Sequence, residues 1–171
     1  MDLKSLIRDV PDYPSEGILF RDLSPVMANP EAMRHITETL ATHLRSKETQ
    51  AIAAIDARGF IFGAPVADRL DVPFVPIRKA GKLPPPVVGM DYTLEYGTAR
   101  LEASTFAVEP GQNVAVLDDL LATGGSAGAG VKLIESLNAN VVSIAFLVEL
   151  TFLNGRQTLP NGLDIFSMVQ Y

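Results

Sequence analysis

Three apolar runs constrain this chain more than any other feature: AIAAI at 51–55, VAVL at 114–117 and VVSIAFLV at 141–148. Each is strand-length and rich in Val, Ile and Ala, with no polar alternation to leave one face wet. A strand apolar on both faces belongs in a sheet covered on both sides, which is the property of parallel sheets. Helical patterns follow the first two runs, through ARGF at 57–60 to about Leu70 and from Ser126 to about Leu137. Strands alternating with helices predict an α/β domain built on a mainly parallel, twisted sheet flanked by helices. Ligands of such sheets sit at the carboxyl ends of the strands. Both Asp56-Ala57-Arg58-Gly59 and Asp118 to Ser126 fall there.

The remaining elements follow from local signals. Leu3, Leu6, Ile7 and Val10 recur at helical spacing and Pro11 stops them, which predicts an N-terminal helix. A loop carrying PSEGILFRDLSP comes next. Asn29 reads as an N-cap with Pro30 in the first helical position, and Met33, Ile36, Leu40 and Leu44 give that helix one apolar face. PFVPIR (73–78) and DIFSMVQY (164–171) read as strands. KAGKLPPPVVGMD reads as a long loop or lid, and YTLEYGTARLEAS alternates about Gly97 as a hairpin does. Residues 1–171 are expected to form one domain, with 1–30 an N-terminal helix and hood segment and 79–103 a lid loop and hairpin.

Composition excludes several functions. The 171 residues are 47% hydrophobic and 20% charged, with a net charge of −6 and no basic run, which disfavours a nucleic-acid groove. There is no cysteine, and His35 and His43 form no HExxH pattern, so a protein-bound transition metal is not expected. The apolar stretch from Val141 to Leu153 is interrupted by Glu149 and too short to span a bilayer. The first residues, MDLKSLIRDVPDYP, lack the apolar centre of a signal peptide, so a cytoplasmic location is expected.

VAVLDDLLATGGS (114–126) carries the chemistry. Ala122, Thr123, Gly124, Gly125 and Ser126 let the backbone approach a ligand, and the helix start leaves amide N–H groups without partners. That is an anion cradle for a phosphate monoester. It is not a Walker A loop, because Val131 stands where lysine is required, nor a dinucleotide fingerprint, because Leu133 occupies the third glycine position. The adjacent Asp118 and Asp119 would repel phosphate but accept hydrogen bonds from a vicinal diol. A ribose 5-phosphate satisfies both halves, and the same carboxylates would stabilise positive charge at the anomeric carbon.

This motif resembles the signature of type I phosphoribosyltransferases, which use 5-phosphoribosyl-1-pyrophosphate (PRPP). PDYPSEGILFRDLSPV, DARGFIFGAPVA, IRKAGKLP and YTLEYGTARLE are similar, in the same order, to the adenine phosphoribosyltransferase family. The resemblance covers nearly the whole chain, with Glu16 and Ala80 departing from the family's pattern. It implies the type I phosphoribosyltransferase fold with a small hood and a flexible lid, and a homodimeric, Mg²⁺-dependent purine-salvage enzyme making AMP and pyrophosphate from adenine and PRPP. The Mg²⁺ is expected to ride on PRPP, without a dedicated set of protein ligands.

The resemblance also implies residue roles. Arg58 would face the pyrophosphate, with Lys82 reaching it from the lid or a neighbouring subunit; Lys79 lies in the same cationic segment. Glu95 would act as general acid/base at the purine, with Tyr96 beside it in the PRPP or AMP site. Phe20 would stack on adenine while the backbone of Leu19 and Arg21 reads the base edge. Two competing readings are a PRPP-sensing regulator, which would need neither LEYG nor ILFRD, and a transferase for 6-oxopurines, which would read the base edge differently.

Overall fold

The computed structural model describes residues 1–93 and 97–171. A seven-stranded sheet runs in the order β5-β6-β4-β3-β7-β8-β9. Here β3 is Ala51–Ile55, β4 Phe74–Lys79, β5 Val87–Thr93, β6 Thr98–Ser104, β7 Asn113–Leu121, β8 Asn140–Glu149 and β9 Ile165–Gln170. The five strands from β4 to β9 pair in parallel, and the β5–β6 hairpin joins antiparallel at the β4 edge, through Arg78↔Glu102 and Lys79↔Leu101. The mainly parallel sheet expected from the apolar runs is present, and β3 is buried along its whole length.

Helices cover both faces. On one side α2 (Pro30–Arg45) and α3 (Arg58–Leu70) bury Ile36, Leu40, Leu44, Phe62 and Val66 against Ile52, Leu117 and Leu147. On the other, α4 (Gly125–Glu135) buries Val131, Leu133 and Ile134 against Ile55, Ile77, Val116 and Phe146. The predicted cap of α2 is formed: Asn29 Oδ1 accepts from the amides of Glu31 at 3.0 Å and Ala32 at 3.1 Å. Three of the four residues predicted for its apolar face, Ile36, Leu40 and Leu44, are no more than 1% exposed, and Met33 packs at the rim.

Four local expectations are corrected. The N-terminal helix is absent: a 3-10 turn at Lys4–Leu6 leads into β1 (Arg8–Pro11). Leu3 and Ile7 are buried as their spacing suggested, but Val10 pairs with Phe20 in a two-stranded antiparallel sheet with β2 (Leu19–Asp22). Tertiary pairing thus overrides a helical period carried by only four residues. The segment PSEGILFRDLSP is accordingly not all loop, since it holds β2 and then the single turn α1 (Ser24–Met27). The loop after β4 is shorter than expected, because Val87 to Asp91 are already strand and the hairpin registers from Val87↔Ser104 to Thr93↔Thr98. Finally, Asp118 and Asp119 lie inside β7 rather than at its end; the strand continues through Leu120 and Leu121.

Candidate active site

The sheet brings the carboxyl ends of β3 and β7 side by side, as the register Ala54↔Leu117 requires. One cleft of about 440 Å³ forms there, lined by Asp56, Arg58, Lys79, Asp118, Asp119 and Ser126 among others. A smaller hollow of about 80 Å³ adjoins it and is lined by Asp118 and the backbone from Leu120 to Ala127. Asp118 and Ser126 line both, so the carboxylate pair and the small-residue loop open onto one continuous surface.

The electrostatics of the cleft centre on the aspartate pair. Arg58, at the first position of α3, donates through Nε to Asp119 Oδ2. The Asp119 side chain is 6% exposed, whereas that of Arg58 is 51% exposed and reaches open solvent. Partial burial on its own would lower the Arg58 guanidinium; the hydrogen bond and charge of Asp119 outweigh it, and the net shift is upward. Asp118 is different. Burial raises its carboxyl well above the ordinary 3.8, and the negative charge of Asp119 raises it further, against the opposing pull of the Asp119 amide and Arg58. That amide donates to Asp118 Oδ1 at 2.9 Å. The two aspartates therefore differ: Asp119 is paired with Arg58, whereas burial and the charge of Asp119 push the Asp118 carboxyl upward.

One further ion pair and two hydrogen bonds hold the rim. Arg78 Nε donates to Asp56 Oδ2 at 3.0 Å, and its Nη1 to the Lys82 carbonyl at 3.2 Å. The Gly81 amide donates to Glu102 Oε2 at 2.9 Å, which ties the loop after β4 to the hairpin. Lys79 lines the cleft, but Lys82 does not; the structure uses its carbonyl to orient Arg78.

The loop from Ala122 to Ser126 depends on glycine. Gly124 caps α4 with φ +85°, a conformation that L side chains rarely adopt. A Cβ there would overlap Thr158 Oγ1 and sit 2.6 Å from the Gly155 carbonyl oxygen. No side chain caps α4, so the first-turn amides stay available to an anion.

Leu19, Phe20 and Arg21 do not line this cleft. Phe20 lines a separate groove of about 240 Å³ with Arg8, Val10, Tyr13 and Asp22, and packs edge-on to Tyr13 at a centroid distance of 5.2 Å. Leu19 is 45% exposed. The Arg21 side chain turns away from Phe20 by strand alternation: Nη1 donates to Asp9, and the guanidinium lies 3.7 Å from the centre of the Tyr171 ring. Its Nε is buried without a hydrogen-bond partner. Glu95 and Tyr96 lie outside the described residues.

Sequence reasoning passed over several lining residues. Asp56 was placed at a strand end without a task, although an aspartate following an all-apolar strand was a usable signal. Tyr92 lines the cleft and continues the face of Val88 and Met90 that packs beneath the hairpin, so its alternation was also legible. Gly155 and Thr158 adjoin the phosphate loop from more than 25 positions away, and nothing local announces them.

Comparison with known proteins extends the resemblance to the whole chain. The family description "Phosphoribosyl transferase domain" matches residues 23–163. An adenine phosphoribosyltransferase of Thermosynechococcus vestitus is 50% identical over 171 residues, all of both chains. The crystal structure of an adenine phosphoribosyltransferase from Thermoanaerobacter pseudethanolicus superposes with a TM-score of 0.95 at 50% identity, covering 99% of this chain and 98% of that one. The Saccharomyces cerevisiae enzyme, complexed with an imino-altritol bisphosphate and adenine, gives 0.93 at 39% identity, covering 98% and 96%.

Proposed function

The chain belongs to the phosphoribosyltransferases and, within them, to the adenine phosphoribosyltransferases, and from that premise we infer how its own residues divide the work. The reaction is PRPP-dependent adenine salvage, a pentosyl transfer that yields AMP and pyrophosphate. One observation carries the residue-level reading: the Asp118–Asp119 pair and the loop from Ala122 to Ser126 share a single opening. A diol and a phosphate on one small molecule are what that juxtaposition accommodates.

The 5′-phosphate sits in the loop, on amides of the α4 start and the Thr123 and Ser126 hydroxyls. The ribose hydroxyls donate to Asp118 and Asp119. Arg58, already half in solvent, turns its free guanidinium edge to the pyrophosphate, and Lys79 adds charge from the end of β4. Lys82, exposed on the loop between β4 and β5, serves the same anion when that loop closes. Mg²⁺ carried on the PRPP oxygens would supply charge neutralisation for the departing pyrophosphate, and no residue of this chain is assigned to hold it. Breaking the anomeric C–O bond builds oxocarbenium character at the sugar, which the buried carboxylates stabilise at short range. Adenine N9 then captures the anomeric carbon from the opposite face, and Glu95 handles the purine proton with Tyr96 beside it.

The hood supplies the base. Phe20 offers an aromatic face, and the Leu19–Arg21 backbone offers a donor and an acceptor to a purine edge. Adenine presents a 6-amino donor and an N1 acceptor; 6-oxopurines present the reverse, leaving buried groups unpaired. A homodimer and a cytosolic location complete the reading, since both substrate and product are phosphorylated and do not cross membranes unaided. PRPP consumption against a panel of nucleobases tests it: adenine is expected to be used and hypoxanthine and guanine refused. Comparable kcat/KM for adenine and hypoxanthine would overturn the hood assignment.

A further inference from the structure

The phosphate loop is held from behind by a segment with no part in the site as described. After β8, the chain forms a 3-10 turn at Gly155–Thr158. Thr158 Oγ1 lies 2.9 Å from the Thr123 carbonyl oxygen and 2.8 Å from the Gly155 carbonyl oxygen. Its one proton is shared between them or alternates. Gly155 is buried, and a Cβ on it would collide with the Ala122 carbonyl oxygen and approach Leu121 Cδ1 at 3.0 Å. Loop and turn thus meet backbone to backbone, glycine facing glycine.

The turn is anchored in turn by Arg156. Its Nε and Nη2 donate to the two carboxylate oxygens of Glu149 at 2.6 and 2.7 Å. Nη1 donates to the Ile165 carbonyl at 3.0 Å, and Nη2 also to Ser167 Oγ at 3.3 Å. Glu149 ends β8 and is 4% exposed, so the fork ties the turn to two sheet strands.

We propose that Thr158 and Arg156 are positioning residues for phosphoribosyl transfer, fixing the Thr123–Gly124 peptide so that its N–H faces the 5′-phosphate. The geometry follows from peptide planarity. In a trans peptide the carbonyl and the N–H point in opposite directions. Thr158 draws the Thr123 carbonyl backwards, so the Gly124 N–H is turned away from the turn and towards the hollow lined by residues 120–127. Without that anchor, a glycine-rich loop samples peptide orientations that bury the amide and present a carbonyl oxygen to the anion. The inference rests on the assignment of Ala122–Ser126 to the 5′-phosphate.

Steady-state kinetics on point variants test the two levels separately. Thr158→Val keeps the side-chain volume, lies on an exposed residue and removes the hydroxyl. Its KM for PRPP is expected to rise roughly five- to tenfold, the loss of about one hydrogen bond's worth of alignment, with KM for adenine and thermal stability unchanged. Thr158→Ser is expected to restore the wild-type value. Arg156→Lys keeps the charge, loses the fork and should raise KM for PRPP in the same direction. Thr123→Ala with Ser126→Ala reports on the phosphate assignment itself. If that pair raises KM for PRPP while Thr158→Val does not, the brace is wrong and the phosphate site stands. If neither does, the phosphate assignment fails and the brace fails with it. A fall in Tm for Arg156→Lys with unchanged KM for PRPP would remove Arg156 from the proposal.

Discussion

The two halves of the site are built differently. The phosphoribosyl half grows out of the central sheet: its carboxylates sit inside β7, its loop caps α4, and its backbone is packed against Gly155. The half proposed for the base stands on a two-stranded ribbon at the N-terminus, where Ile18 and Leu19 are each 45% exposed. That ribbon is pinned by side chains, through Arg8 to Asp22 at 2.8 Å, Arg21 to Asp9, and Arg21 over the Tyr171 ring. Exposed ion pairs of this kind contribute little individually. If the proposed assignments hold, PRPP is held by main chain and core, whereas the base is read from a thin peripheral layer. Changes in the first half should be severe and indifferent to the base; changes in the second should be mild and confined to it.

The sharpest way to break that contrast is Asp118→Asn with Asp119→Asn. Both amides keep the volume, so the fold is expected to survive, while loss of two carboxylate hydrogen-bond acceptors should lower kcat/KM for PRPP by roughly 10³-fold. Kinetics matching wild type would end the ribose assignment. Next in size is Glu95→Gln. A kcat lower by roughly 10²-fold with little change in either KM would mark proton transfer. A loss confined to KM would make Glu95 a binding residue instead.

A smaller effect is expected in the hood. Phe20→Ala removes a stacking face that no purine reads differently from another. KM for adenine should rise about tenfold, KM for PRPP should not move, and the adenine-to-hypoxanthine preference should be unchanged. A shift in PRPP affinity would show the halves to be coupled.

The smallest effect concerns pH and sharpens the contrast from within the buried half. Asp118 has a folded pKa raised by burial and by Asp119, so the folded chain holds a proton that the unfolded chain releases. Its stabilising contribution is complete below the unfolded value of 3.8 and is lost as pH rises through the raised folded value. Asp118→Asn should therefore flatten the decline in ligand-free stability across that window, measured as Tm against pH. An identical pH profile for variant and wild type would refute the raised pKa. In the hood, Asp22 has a lowered pKa, set first by its hydrogen bonds to Ser24, so its contribution has the opposite sign: it is present above 3.8 and lost as pH falls, and Asp22→Asn should leave the decline at higher pH unchanged.

How much of this was legible beforehand depended on whether a signal was local. AIAAI and VAVL announced buried parallel strands because nothing polar interrupts them, and Asn29-Pro30 announced a helix start because an N-cap acts within three residues. The glycine-rich loop that starts α4 was legible for the same reason: glycines, hydroxyls and a helix start sit in one short string. Leu3, Leu6, Ile7 and Val10 misled, since the partner that makes Val10 a strand residue, Phe20, lies across a turn. Asp118 and Asp119 were legible as a pair, but their inequality was not. It comes from Arg58 arriving on α3 to pair with Asp119 while burial raises the Asp118 carboxyl.

The sequence by itself determined the α/β class and the chain's family, because these are written in runs and motifs whose physics acts over a few residues. Only the tertiary structure decided that the carboxylates sit within a strand, that Lys82 orients Arg78 through its carbonyl, and that Gly155 and Thr158 lie against Gly124. Those facts depend on which distant backbones the packed sheet brings within van der Waals reach. No local period or propensity encodes that.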